Sequence, residues 1–306
     1  MSEFINFYFI PGLILGSIYA LGAIGITLTF GILRFANFAH GETMTLGVYF
    51  TWTLIQFCLH TLGLEMSNWF IILILMPISM LFCVVVVLAL DRGFYKPLRE
   101  SPTIMLVIAS FGLMLMVRSA IQFFWGPQLK TVLPGIQLPM VFFDTIRIAP
   151  KHIWIILSAI VLIALIHYVL TYTKIGKAMR AMSDSQELAR LTGINTERVV
   201  QATWVMGAAL ACAAGVFLAV DTQVETMMGF SLLLPMFAAA ILGGVGRPYG
   251  AMAGGLIIGL AEELSSYHWI GDGALLNPGY KQGIAFTVMI IMLLWRPSGL
   301  FKGKVF

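Results

Sequence analysis

Asn37, His40 and Glu42 sit close together in the stretch FANFAHGE, Phe35 to Glu42, and form the densest group of side chains that could bind a metal or move a proton. A metal would need further ligands at matching spacing. The remaining histidines, His60, His152, His167 and His268, offer no second pair, so the sequence implies no metal site. Asn37 reads instead as a helix N-cap, with Glu42 in the next turn complementing the exposed N–H groups and the helix dipole. The same turn, including Gly41, is also a candidate for part of a gate, because polar groups at the end of a membrane helix face a water-filled path.

Three more charges lie inside apolar runs: Arg118 in the outer part of the fourth run, and Glu262 and Glu263 toward the outer end of the eighth. A charge facing lipid costs roughly 2.5–3.5 kcal/mol at a helix centre and less toward the interface. Their depths suit a pair between Arg118 and Glu262 or Glu263, and Glu262 is also a candidate for lining a path. Glycine is the other signal, since Gly243, Gly244, Gly246, Gly250, Gly254, Gly255 and Gly259 crowd one segment. Four-residue spacing strips one helix face and lets a second backbone approach. Glycine- and proline-interrupted helices near Pro248 could also border a substrate path, which makes Gly243, Gly244, Gly246 and Gly250 pathway candidates. A nucleotide loop is excluded, because GxxxxGK followed by Ser or Thr occurs nowhere in the chain.

Chemistry of a different kind is suggested by residues 174–198, KIGKAMRAMSDSQELARLTGINTER, which hold five of the eighteen Lys and Arg residues. Ser183 with Gln186, and Asp184 with Glu187, have capping-box spacing, so a helix is expected to start near Ser183. Gly193 supplies the left-handed position at which it stops, about two turns later. Leu188 and Leu191 share one face, with Glu187 and Arg190 beside them. So short an amphipathic helix either docks in a partner's groove or is a solvated connector.

The elements that carry these residues follow from composition. Of 306 residues 59% are hydrophobic and 10% charged, and the mean hydropathy is +0.93, which describes a polytopic membrane protein. A net charge of +4 does not imply nucleic acid, because the basic residues sit in short loops between apolar runs. Cys58, Cys83 and Cys212 lie in apolar segments without metal spacing, and no disulfide framework is implied. Spanning helices are expected at about 8–30, 39–61, 69–90, 103–124, 153–172, 200–220, 231–245, 249–267 and 281–296. This gives an all-α protein of 8–9 transmembrane helices in one domain, 1–306, with eight crossings if the short 231–267 pair is partly re-entrant. No removed signal peptide is read, since the first run is long enough to span. If residues 174–198 are cytoplasmic, thirteen of the eighteen basic residues fall on that side, Lys302 and Lys304 among them, which puts the N-terminus outside and the C-terminus inside. Trp125 to His152, with Pro127, Pro134, Pro139 and Pro150, reads as an ordered lid or turn-rich outer loop rather than a helix.

Four stretches together, LGSIYALGAIGITLTFGILRFANFAHGETMTLGVY, GKAMRAMSDSQELARLTGINTERV, AAAILGGVGRPYGAMAGGLIIGLAEEL and WRPSGLF, resemble the permease subunits of branched-chain amino acid ABC importers. The resemblance extends over nearly the whole chain in the family's order. It implies a bacterial inner-membrane subunit, paired with a related second permease or a second copy, that takes hydrophobic amino acids from a periplasmic binding protein. Two ABC ATPases would supply ATP and Mg, this chain binding no cofactor itself. The segment 174–198 becomes the coupling loop, with Leu188 and Leu191 as anchors and Arg180, Asp184, Glu187, Arg190 and Gly193 setting its register. Arg247-Pro248-Tyr249 and Lys96 depart from the family's usual residues, so urea or short amides remain alternative cargoes. Passive channels, secondary transporters and intramembrane enzymes are the rivals from other classes. The sparse membrane charges argue against an ion relay, and no nucleophile and base stand together at membrane depth.

Overall fold

In a bilayer a backbone has no water to bond to, so long apolar runs close their hydrogen bonds within helices. The computed structural model describes residues 2–62, 69–132, 139–142, 146–268, 278–296 and 298–301; Pro134, Lys302 and Lys304, invoked above, and Pro297 of the closing motif lie outside them. A first turn, α1 (Ser2–Phe4), leads through a π-helical turn into α2 (Ile10–Leu33), followed by α3 (Ala39–Leu62) and α4 (Trp69–Leu90). A second π turn and α5 (Lys96–Leu98) extend α4 before α6 (Thr103–Trp125), α7 (Pro150–Tyr172), α8 (Lys174–Asp184) and α9 (Gln186–Leu191). The chain continues with α10 (Thr196–Asp221), α11 (Met228–Gly243), α12 (Pro248–Leu264) and α13 (Lys281–Trp295). Each expected apolar run carries a helix within a few residues of its limits. Among the described residues, 5 helices are long and apolar enough to cross a membrane, with Met228–Gly243 and Lys281–Trp295 as shorter apolar ones.

Buried α2 is the axis of the bundle, with α10, α11 and α12 packed around it and α6 and α7 more exposed at the periphery. Glycine sets the closest approach: a Cβ on Gly16 would stand 3.0 Å from the Leu256 Cα, and one on Gly255 2.5 Å from the Ala20 Cα. Gly243 and Gly250 meet backbone to backbone where α11 turns into α12, and Gly254 meets the Ala239 carbonyl. Several buried threonine hydroxyls are satisfied within their own helix, as in Thr43 to the Ala39 carbonyl (3.0 Å) and Thr51 to that of Gly47 (2.8 Å).

The outer stretch, expected as a lid or turn-rich loop, contains a short antiparallel ribbon, β1 (Met140–Phe142) with β2 (Ile146–Ile148). The Arg147 N–H donates to Asn6 Oδ1 (2.9 Å), and Lys130 and Val224 exchange backbone bonds at 2.8 and 3.1 Å. Those bonds tie the ribbon's neighbourhood to the start of the chain and to the approach to α11. The Lys130 ammonium lies 4.0 Å from the Trp52 ring.

Residues 174–198 form two helices, which corrects the expected start near Ser183. Ser183 and Asp184 are in the last turn of α8, whose buried Met179 and Met182 carry an apolar stripe up to the expected boundary, so that the helix runs through it. The chain breaks at Ser185, whose Oγ accepts from the Leu188 N–H (3.3 Å), so the cap is two residues later than the spacing suggested. Gly193, at φ +82°, ends α9 as expected, with the Ile194 N–H reaching the Ala189 carbonyl (3.1 Å). Leu188 and Leu191 are exposed, while Ala189 faces inward.

Candidate functional site

The FANFAHGE turn starts from a strained residue. Arg34 closes α2 in the left-handed conformation, at φ 59° the only non-glycine residue described with positive φ. Asn37 caps α3 by accepting the Ala39 N–H (3.1 Å), and is itself fixed by the Tyr95 hydroxyl (3.0 Å). The Phe38 N–H donates to Ser110 Oγ (3.3 Å), and the Trp125 indole N–H at the far end of α6 to Thr53 Oγ1 (2.7 Å). Both bonds join residues 72 apart, so α3 and α6 run side by side in one register. That register puts Glu42 level with Met114, and Arg118 lies one turn, about 6 Å, further along. Its side chain reaches back across that turn.

Arg118 pairs with Glu42, correcting the expected partners Glu262 and Glu263. Its Nε and Nη2 both donate to Glu42 Oε1, at 2.9 and 2.5 Å. Glu42 is fully buried, and its Oε2 has no hydrogen-bond partner among the described residues. Glu262 instead accepts from the Tyr19 hydroxyl (2.7 Å), and Glu263 pairs with Lys281 (2.7 Å). The physical reason is lateral: α6 lies beside α3, whereas α12 lies along α2, so equal depth did not bring Arg118 to α12.

The start of α11 arrives at the same place. The Gly229 N–H donates to Thr45 Oγ1 (3.1 Å), and a Cβ on Gly41 would stand 2.5 Å from the Gly229 carbonyl oxygen. Two helix N-termini therefore meet beside the ion pair, and their positive ends favour negative charge there. Arg118 lies 4.7 Å from the centre of the Phe230 ring, so α6 touches α11 across a cation–π contact. Next along that seam, the Phe38 ring lies 6.3 Å from Phe111 and 5.7 Å from Phe237, and exposed Leu115 and Leu234 continue the apolar surface.

The other candidates are distributed elsewhere. His40 is buried against Gly25. Gly243, Gly244 and Gly250 are buried in helix packing, whereas Gly246, at φ +83°, borders a cavity of about 250 Å³ with Arg180, Asp184 and Arg247. Arg180 sits on α8, donates to the Leu170 carbonyl (2.9 Å) and so secures the end of α7. Arg190, on α9, borders a second cavity of about 430 Å³ with Lys96, Arg99 and Glu197. There Arg99 spans both oxygens of Asp91 (2.6 and 2.5 Å) and reaches Glu197 (2.8 Å), which also holds Lys96 (3.1 Å). Glu187 lies in the first turn of α9. Sequence reading missed Tyr95, Ser110, Thr45 and Phe230. A lone hydroxyl in an apolar run could have pointed to Ser110, but Thr45 is one of several threonines along α3 and nothing marks Phe230 among the many phenylalanines.

Helices this apolar, packed backbone to backbone through glycine, define a multi-pass membrane protein. Residues 8–293 match the family described as "Branched-chain amino acid transport system / permease component". The high-affinity branched-chain amino acid transport system permease protein LivH of Salmonella typhimurium is 33% identical over 300 residues, covering 94% of this chain and 92% of that protein. BraD of Pseudomonas aeruginosa, of the same description, is 32% identical over 299 residues, 95% of this chain and 94% of that one. A probable LivH from Methanocaldococcus jannaschii is 29% identical over 297 residues, covering 94% and 90%. The chain belongs to this family: it is a permease of the branched-chain amino acid ABC transporter type.

Proposed function

We propose that the chain is one permease subunit of an ATP-driven importer, passing branched-chain or other hydrophobic amino acids inward from a periplasmic binding protein. It sits in the bacterial inner membrane, with residues 174–198 in the cytoplasm and a related permease, or a second copy, across the pathway. The observation that carries this reading is α9, a capped two-turn helix that presents Leu188 and Leu191 outward at 63% and 86% exposure. Apolar side chains so exposed on a polar segment suit a groove on a partner. Two ABC ATPases holding ATP and Mg are that partner, and the cavity beside Arg190, Lys96 and Glu197 borders the same end of the bundle. Closure of the ATPases moves α9, and the bundle rocks between its outward- and inward-open forms.

The seam between α6 and α11, which opens toward the cytoplasm past the Asn37–Glu42 turn, is the part of the path this chain supplies. Leu188→Arg with Arg190→Glu in the assembled complex should abolish ATP-dependent uptake and release the ATPases in a gentle detergent pull-down. Unchanged assembly and coupling would remove the docking role. Recovery of the chain alone, with solute uptake that needs no ATP, would favour a passive channel.

A further inference from the structure

Among the described residues, the Glu42–Arg118 pair is unusual in what it leaves over. Two guanidinium N–H groups converge on Oε1, while Oε2, which has no exposed surface, accepts no hydrogen bond and Arg118 Nη1 donates none among the described residues. A carboxylate built to neutralise an arginine uses both oxygens in a fork. In this same chain both oxygens of Asp91 are met, by Nη2 of Arg99. An unmet acceptor on a buried carboxylate is costly. The two helix N-termini that meet at Gly41 and Gly229 add positive potential beside the pair. One acceptor and one donor are thus held a few ångströms apart, against a wall of Phe38, Phe111, Phe230 and Phe237.

We propose that the Glu42–Arg118 pair, beside the meeting ends of α3 and α11, is a binding site for the charged head of the passing amino acid. The proposal rests on the permease reading and deepens it. The ammonium binds Glu42 Oε2 and the carboxylate binds Arg118, while the apolar side chain lies along the phenylalanines. A zwitterion set against an ion pair brings no net charge into the low-dielectric interior, and each buried charge gains an opposite neighbour. Urea or a short amide would need hydrogen bonds only and would leave both charges as they are. In this structure Phe230 lies over Arg118, so the site opens when α11 swings from α6.

The test uses the whole importer in liposomes with its binding protein. Absence of ATP-dependent leucine uptake by the wild type would sink the permease reading itself. Given that uptake, the doubly neutral Glu42→Gln, Arg118→Gln complex leaves no buried charge unpaired. It should retain binding-protein-stimulated ATP hydrolysis while losing leucine uptake by at least about tenfold, as a site built for polar groups of its ligand does when they are unmatched. Uptake and half-saturating concentration equal to wild type would overturn the proposal and leave the pair structural. Should that variant fail to assemble, thiol labelling decides with the pair intact. Ser231→Cys, one residue beyond Phe230, should be protected by leucine but not by 4-methylpentanoate or isoamylamine, each lacking one charge. Equal protection by all three, or by none, would overturn it.

Discussion

Arg99 and Arg118 each approach a carboxylate to 2.5 Å, but Arg99 spans both oxygens of Asp91 and adds Glu197, whereas Arg118 spends two N–H groups on one oxygen of Glu42. The first cluster lies at the end of the bundle, is redundant, and borders the segment expected to receive the ATPases. The second lies within the helices and, among the described residues, has a single carboxylate and leaves one of its oxygens without a donor. Redundancy suits a joint that must survive force from outside. A half-committed pair suits a place where something else completes it.

That contrast can be broken by removing one carboxylate from each. Glu42→Gln leaves Arg118 buried without an anion and should cost about 3–5 kcal/mol. It would appear as a lower melting temperature in detergent and poorer assembly, largely recovered when Arg118→Gln is added. Asp91→Asn should cost less, about 1.5–3 kcal/mol, because Glu197 still holds Arg99. If the two single variants melt together, the clusters do not differ as their hydrogen bonds suggest. A third arginine sharpens the comparison from the other side. Arg34 holds no carboxylate among the described residues and sits at φ 59°, so Arg34→Gly should stabilise the protein by about 1 kcal/mol. A fall in melting temperature instead would mean that the Arg34 side chain, rather than its backbone, secures the turn into Asn37.

How much of this could be read from the residues varies with how local the cause is. Helix positions were legible, because the demand that buried backbone bond to itself acts on each apolar run separately. Asn37 as a cap and Gly193 as a stop were legible for the same reason, each resting on neighbours within a turn. The start of α9 was misplaced because capping-box spacing favours Ser183, with Gln186 three residues on, over Ser185, which is followed at that spacing by Leu188. The deciding fact is the burial of Met179 and Met182 on α8, which depends on what that helix packs against. The Arg118 partner was misassigned because depth along a helix says nothing of which helix stands beside it. Glu42 lies 76 residues away on α3, and its selection follows from a register set by Ser110 and Thr53. Glycine spacing foretold close packing, but the choice of partner, α2 against α12, came only with the fold.

The outer helix α13 has a consequence for the surrounding lipid. Its 15 residues measure about 22 Å along the axis, against a hydrocarbon layer of about 30 Å. Leu294 and Trp295 at its end are 80% and 89% exposed, and Lys281 at its start is held by Glu263. A bilayer meeting that face must thin or pucker locally, at a cost that grows with each ångström of mismatch. Acyl-chain length therefore becomes a variable of this protein's environment, and shorter-chain lipids should gather along α13 in preference to longer ones.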